Sequence, residues 1–242
     1  MAQQDTLYAQ SRRLIDAFRF DATVADVFSD MVRRSVPGYP LILDILGVLS
    51  AQHLGDNALC YDLGCSLGAS TLAIRHNISG ENCRIIAIDN SEEMANRCRQ
   101  SIAHDKATTP VDVICQDILK TAFQPCSLVS INLTLQFIEP QHRLALLSRI
   151  ASAMSDDGVL FLAEKICFDD TYEQQQLTDL HHQFKKHQGY SDLEIAQKRT
   201  AIENVLIPDT LATHQQRLLQ AGFKKVIVAF QCFNFIALIA YK

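Results

Sequence analysis

Apolar residues change their spacing along this chain in a regular way. The stretches Ala58–Leu63, Arg84–Ile88, Val111–Cys115, Ser127–Leu133 and Val159–Ile166 are short, largely continuous apolar runs, the pattern of parallel strands covered on both faces. Between and before them the spacing turns helical. Helices are predicted over Thr6–Phe18 and Asp21–Ser35. A third covers Tyr39–Leu54, with Leu41, Ile42, Ile45, Leu46 and Leu49 on its buried face. Further helices run from near Ala69 to Arg75, onward from Ser91 as N-cap, over Gln141–Met154 closed by Asp156-Asp157-Gly158, and over Leu211–Gln220, which stops at Ala221-Gly222. Lys225–Gln231 and Phe233–Tyr241 read as two long strands joined through Cys232. Strands alternating with helices and ending in a hairpin predict an α/β fold, a doubly wound, mostly parallel, Rossmann-like sheet with an antiparallel edge. One domain over 1–242 is expected, with an N-terminal helical segment over 1–55 and a helical insert over 169–208.

The turn after the first strand carries the chemistry. Asp62-Leu-Gly64-Cys65-Ser66-Leu-Gly68 places a strand, a glycine turn and a helix start in succession. Such a turn exposes backbone N–H groups and a partial positive charge to a ligand. A dinucleotide fingerprint would need glycine at 66, where Ser66 stands. The spacing fits the acidic-x-Gly-x-Gly-x-Gly loop of class I S-adenosylmethionine enzymes better, with serine as the middle residue, although the loop alone leaves a nicotinamide cofactor open.

Acids recur at the strand ends. Asp89-Asn90, 25 residues after Gly64, closes the second strand, where a carboxylate can accept from both hydroxyls of a ribose. Asp117 follows the third, positioned to accept from an adenine amino group while Ile118 packs on the ring; taken alone, Asp117 is as readily a helix cap or a solvated turn. Asn132 ends the fourth strand at the same edge. The Pro37-Gly38-Tyr39-Pro40 turn presents Tyr39 at a fixed place, or simply packs it as a connector. Asn132-Leu-Thr-Leu lacks the Asn/Asp-Pro-Pro-aromatic turn of amino methyltransferases. His181, His182 and His187 have no carboxylate or cysteine set at metal spacing, so they read as solvated helix residues and no metal is expected. Cys65 reads as a loop residue whose backbone matters.

Composition narrows the partners. The net charge of −5 and only short basic couplets (Arg33-Arg34, Lys185-Lys186, Lys198-Arg199) argue against direct nucleic-acid binding. Eight scattered cysteines without a C-x-x-C pair, a start without signal-peptide character and no apolar run of membrane-crossing length predict a cytoplasmic protein away from membranes.

Longer motifs point to one family. Arg34-Ser-Val-Pro-Gly-Tyr39, Tyr61-Asp-Leu-Gly-Cys-Ser-Leu-Gly68, Ile85-Ile-Ala-Ile-Asp-Asn90, Asn132-Leu-Thr-Leu-Gln-Phe137, His181-His-Gln-Phe-Lys185, Gly189-Tyr-Ser-Asp-Leu-Glu194, Gln197-Lys-Arg199 and Phe230-Gln-Cys-Phe-Asn-Phe235 together resemble the carboxy-S-adenosyl-L-methionine (carboxy-SAM) synthases. The similarity runs over nearly the whole chain, and Gly-Cys-Ser is that family's own form of the loop. The resemblance implies that Tyr39, Gly64, Cys65, Ser66, Asp89, Asn90, Asp117, Ile118, Asn132 and Arg199 contact the nucleoside, with Arg199 and Tyr39 also at the reacting group. It implies S-adenosylmethionine as substrate rather than methyl donor. Prephenate loses carbon dioxide and hydroxide and leaves as phenylpyruvate. Hydroxide deprotonates the sulfonium methyl, and the ylide captures the carbon dioxide. The product serves wobble-uridine modification in tRNA. Arg199 is expected to come from the neighbouring subunit of a homodimer; its guanidinium would hold a carboxymethyl anion and gain nothing from a methyl beside a positive sulfur. The alternatives are a conventional methyltransferase for a small molecule or tRNA, and a non-catalytic nucleoside-binding protein.

Overall fold

The computed structural model describes residues 4–11, 15, 18–203 and 205–242. Five parallel strands, β1 (Leu59–Leu63), β2 (Arg84–Asp89), β3 (Val111–Cys115), β4 (Cys126–Asn132) and β5 (Met154–Cys167), form the sheet. A two-residue β6 (Asp209–Thr210) pairs with the end of β5, and β7 (Lys225–Cys232) with β8 (Phe235–Tyr241) makes the antiparallel edge. The order is β3-β2-β1-β4-β5-β8-β7. Helices α1 (Ala22–Ser35), α2 (Tyr39–His53), α3 (Ala69–Arg75), α4 (Glu92–His104), α5 (Pro140–Ala153) and α8 (Leu211–Gln220) cover the two faces, while α6 (Thr171–His187) and α7 (Asp192–Ile202) form the insert.

Alternation along the strands feeds two cores. Tyr61, Leu63, Ile131, Leu160 and Leu162 join α5 and α8 on one face; Cys60, Leu128, Phe161 and Ala163 join α2 on the other. Each face is dry, so the continuous apolar runs seen in the sequence follow directly. The caps at Ser91 and Thr210 set helix starts where the sequence predicts them, and a capping box of Ser191 with Glu194 opens α7.

Three expectations need correction. Residues 4–11 make a turn and bends rather than the start of a helix. Their carbonyls are taken from outside: Arg34 donates to Asp5 O at 2.7 Å, and Gln197 to the oxygens of Tyr8 and Gln10 at 2.9 Å each. Most of the predicted 12–18 segment, and the end of the insert helix at 204, lie outside the described residues. Asp156-Asp157-Gly158 does not close α5; it lies inside β5, where the register with β4 jumps from Cys126↔Met154 to Leu128↔Val159. Leu41, expected on the buried face of α2, is 51% exposed, while Ile42, Leu46 and Leu49 are buried.

Arg143 fastens β6 to the body of the fold. Its side chain is fully buried, donates to the carbonyls of Ile138 and Ile207 at 2.8 Å each, and pairs with Asp209, which Arg217 also meets at 2.8 Å. Truncation in Arg143→Ala strips both carbonyls of their donor, so urea unfolding should show a loss of about 3–5 kcal/mol.

Candidate active site at the carboxyl edge of the sheet

The loop after β1 is wound left-handed at alternate positions. Gly64, Ser66 and Gly68 have φ of 78°, 49° and 90°. Serine accepts this conformation at a cost of about 1–2 kcal/mol, and the surrounding bonds hold it there. Gly64 N and Cys65 N donate to Ile88 O at 2.7 and 3.0 Å, and Ser66 N donates to Asp89 Oδ2 at 2.9 Å. Glycine is required at 64 for a second reason: a Cβ there would stand 2.1 Å from Thr134 Oγ1. Cys65 is buried; a hydrogen bond with Cys98, and then burial, push its thiol up, so it stays protonated and inert.

Asp89 ties two loops together, because its other oxygen accepts from Ser91 N at 2.9 Å. Burial pushes its carboxyl above the usual range against these N–H bonds. Asp62 lies fully buried on the adjacent strand. Thr71 donates to its Oδ2 at 2.6 Å, Ser130 faces it in register from β4, and burial raises it to about 6. Asn132 donates to Ser70 Oγ at 3.0 Å and keeps an unpartnered Oδ1. Tyr39, half-buried at the start of α2, is close enough for the Asp62 charge, after burial, to raise its phenol further. Thus Tyr39, Asp62, Gly64, Ser66, Asp89 and Asn132 meet at one edge. The buried, unpartnered Asn132 Oδ1 beside this loop fits an amine or hydroxyl of an adenosyl ligand.

Asn90, Asp117 and Ile118 sit at the next strand ends but present less. Asn90 is exposed. Asp117 caps a short 3-10 turn by accepting from Leu119 N at 2.9 Å, and Ile118 is buried in the core beside Tyr61 and Leu63.

The insert and the N-terminal segment close over this edge. Phe18 N donates to Ala201 O at 2.9 Å, and Phe18, Ala201 and Met94 share a cluster with Leu67 of the loop. His181 is not solvated, as the sequence suggested. It is buried, bonds Ser35 O through Nε2 at 2.8 Å, stacks edge-on with Phe235, and is pushed down to about 2 by burial. The basic couplets split: Arg34 and Lys198 are buried and Lys185 half-buried, while Arg33, Lys186 and Arg199 stay exposed. Arg199 makes no ion pair among the described residues, and its charge reaches Lys165 and His182 of its own chain.

Sequence reasoning missed Glu164, hidden in an apolar strand. It is fully buried and accepts from Thr134 N, Leu135 N and Gln136 N at 3.2, 2.7 and 3.0 Å, which fixes the turn that carries Thr134 over Gly64. An acid in the middle of the run 159–167 was the available signal.

A methyltransferase-domain family model matches residues 60–158. The carboxy-S-adenosyl-L-methionine synthase of Marinobacter nauticus is 53% identical over 238 residues, covering 98% of this chain and 95% of that protein. The synthase of Stutzerimonas stutzeri is 54% identical over 240 residues, covering 98% and 97%. This chain belongs to the carboxy-SAM synthase family. Among solved structures, human N-acetylserotonin methyltransferase in complex with SAM superposes with a TM-score of 0.60 at 16% identity; the match covers 90% of this chain and 54% of that one. The chain is a transferase on a class I S-adenosylmethionine methyltransferase fold, with the insert and hairpin described above. Among the described residues no helix is long and apolar enough to cross a membrane.

Gly64→Ala should abolish S-adenosylhomocysteine binding by calorimetry and lower stability by at least ~2 kcal/mol, from left-handed strain and the Thr134 clash. The Asp62 carboxyl titrates higher in the folded chain (about 6) than its ordinary 3.8. Its contribution to stability is therefore full at low pH and lost as pH rises through 6. Melting profiles from pH 4 to 7.5 should show this decline in the wild type and a flatter course in Asp62→Asn.

Proposed function

We propose that this enzyme converts S-adenosylmethionine and prephenate into carboxy-SAM and phenylpyruvate, supplying wobble-uridine modification of tRNA. The chemistry brought by the nucleoside is a sulfonium carbon acidic enough to lose a proton and take up carbon dioxide. The chain's own residues hold and orient. On this reading the loop 64–66 and Asn132 carry the amino-acid end of the ligand, Asp89 and Asn90 the ribose, and Asp117 with Ile118 the adenine.

The observation that carries the proposal is Arg199, exposed and without an ion pair among the described residues, at a distance from which its charge is felt by Lys165 at the sheet edge. A positive field disfavours a cationic sulfonium carrying only a methyl group and favours one carrying a carboxylate. His181 supports the same conclusion, since an imidazole held down to about 2 and bonded to a backbone carbonyl is no general base. A base released from the second substrate makes one unnecessary. Tyr39, its phenol kept protonated, acts as a hydrogen-bond donor at the reacting end.

A homodimer is part of this reading, with Arg199 serving either its own or the neighbouring site. The exposed Leu41 and Val48 on α2 offer apolar surface for association.

Purified enzyme given S-adenosylmethionine and prephenate should yield carboxy-SAM and phenylpyruvate by mass spectrometry. S-adenosylhomocysteine formed only with an added acceptor would identify a conventional methyltransferase instead. In Arg199→Ala, carboxy-SAM affinity should fall by about 10–100-fold with S-adenosylmethionine affinity little changed; equal losses would show that the guanidinium does not read the carboxylate.

A further inference from the structure

Two lysines beside the adenosyl edge make no ion pair among the described residues. Lys165 lies two residues beyond Ala163, which pairs in register with Asn132. Strand alternation therefore puts it on the sheet face of Asp62 and Asn132, opposite the Glu164 side. Lys185 projects from α6 one turn after His181, on the same helix face. His181 is anchored to Ser35 O at 2.8 Å, and Lys198 of α7 to Ser35 Oγ at 3.0 Å. Ser35 ends α1, four residues before Tyr39. Three elements, α1, α6 and α7, thus converge at Ser35.

Their charges are felt mutually. Lys185 experiences Lys198 and Lys165, and Lys165 experiences Arg199. The near acid, Asp5, is engaged by Lys198 at 3.5 Å and by the Tyr190 hydroxyl. Neither Lys165 nor Lys185 forms an ion pair among the described residues, yet both are half-buried. Burial accordingly lowers both ammonium groups, Lys185 to about 7. Half-buried cations that repel one another cost stability unless an anion joins them. Lys198, with its carboxylate and hydroxyl, shows how this fold satisfies a structural lysine; Lys165 and Lys185 lack both.

We propose that Lys165 and Lys185 form an anion subsite continuous with the adenosyl pocket, which holds the carboxylate that the acidic cosubstrate keeps through the reaction. The inference rests on the preceding reading that a carboxylic acid is the second substrate. It goes further by assigning the two carboxylates of that acid. Cations gripping the carboxylate that departs as neutral carbon dioxide would stabilise the ground state and slow its loss. The lysines therefore suit the 2-oxo-acid carboxylate. Phe184 and Phe233, half-buried with ring centroids 6.4 Å apart, supply apolar surface beside Lys185.

The test uses the full-length enzyme and phenylpyruvate, which retains only that carboxylate. Calorimetry should show Lys165→Gln and Lys185→Gln each weakening phenylpyruvate binding by about 10-fold or more. The KM for prephenate should rise by a similar factor, S-adenosylhomocysteine affinity should stay within about 3-fold, and Lys185→Arg should restore most of the binding. Where a glutamine variant loses its fold, Lys→Met takes its place. Lysine-dependent phenylpyruvate binding without product from prephenate would keep the subsite and reject prephenate as substrate. Normal turnover and unchanged affinities in the glutamine variants would reject the subsite and keep prephenate. A wild-type enzyme that binds neither acid would reject both.

Discussion

A buried carboxylate must find donors, and the loops of this protein are arranged around that demand. Asp89 gathers the N–H groups of Ser66 and Ser91 and so joins the ends of β1 and β2. Glu164 gathers three successive N–H groups after β4. Asp209 brings in Arg143 and Arg217, and Asp5 brings in Tyr190 and Lys198. Asp89 and Asp209 sit at strand ends, while Glu164 meets the turn after β4 from inside β5. The loops that would carry a ligand are thereby rigid before any ligand arrives, which lowers the ordering cost of binding.

The local grammar of the chain was legible. The positions of the strands, the helix from Ala69 to Arg75 and the hairpin follow from period, caps and turn residues, because those signals act over a few positions. The strand-end acids Asp62 and Asp89 were likewise readable, since a polar residue closing an apolar strand marks the ligand edge. Convergence at Ser35 was not. His181 and Lys198 reach it across 146 and 163 residues, and nothing in a local window distinguishes a lysine turned inward from its exposed neighbour. For the same reason the first residues looked helical: their apolar spacing permits a helix, but Arg34 and Gln197 compete for the carbonyls that helix would use.

The chain is acidic as a whole, yet the half-buried Lys165 and Lys185 and the buried Lys198 are near enough for their charges to be felt mutually. Net charge describes what a distant polyanion meets; it does not describe the local grouping of these lysines.

The clasp made by Asp5 has a practical side. This residue links Asp30, Arg34, Tyr190 and Lys198 through its backbone and side chain, so the two insert helices rest on a strap of chain only a few residues long. Trimming that strap, or crowding it with an affinity tag, would loosen the roof of the pocket while leaving the sheet intact. Fusion at the Lys242 end is the safer choice for preserving activity.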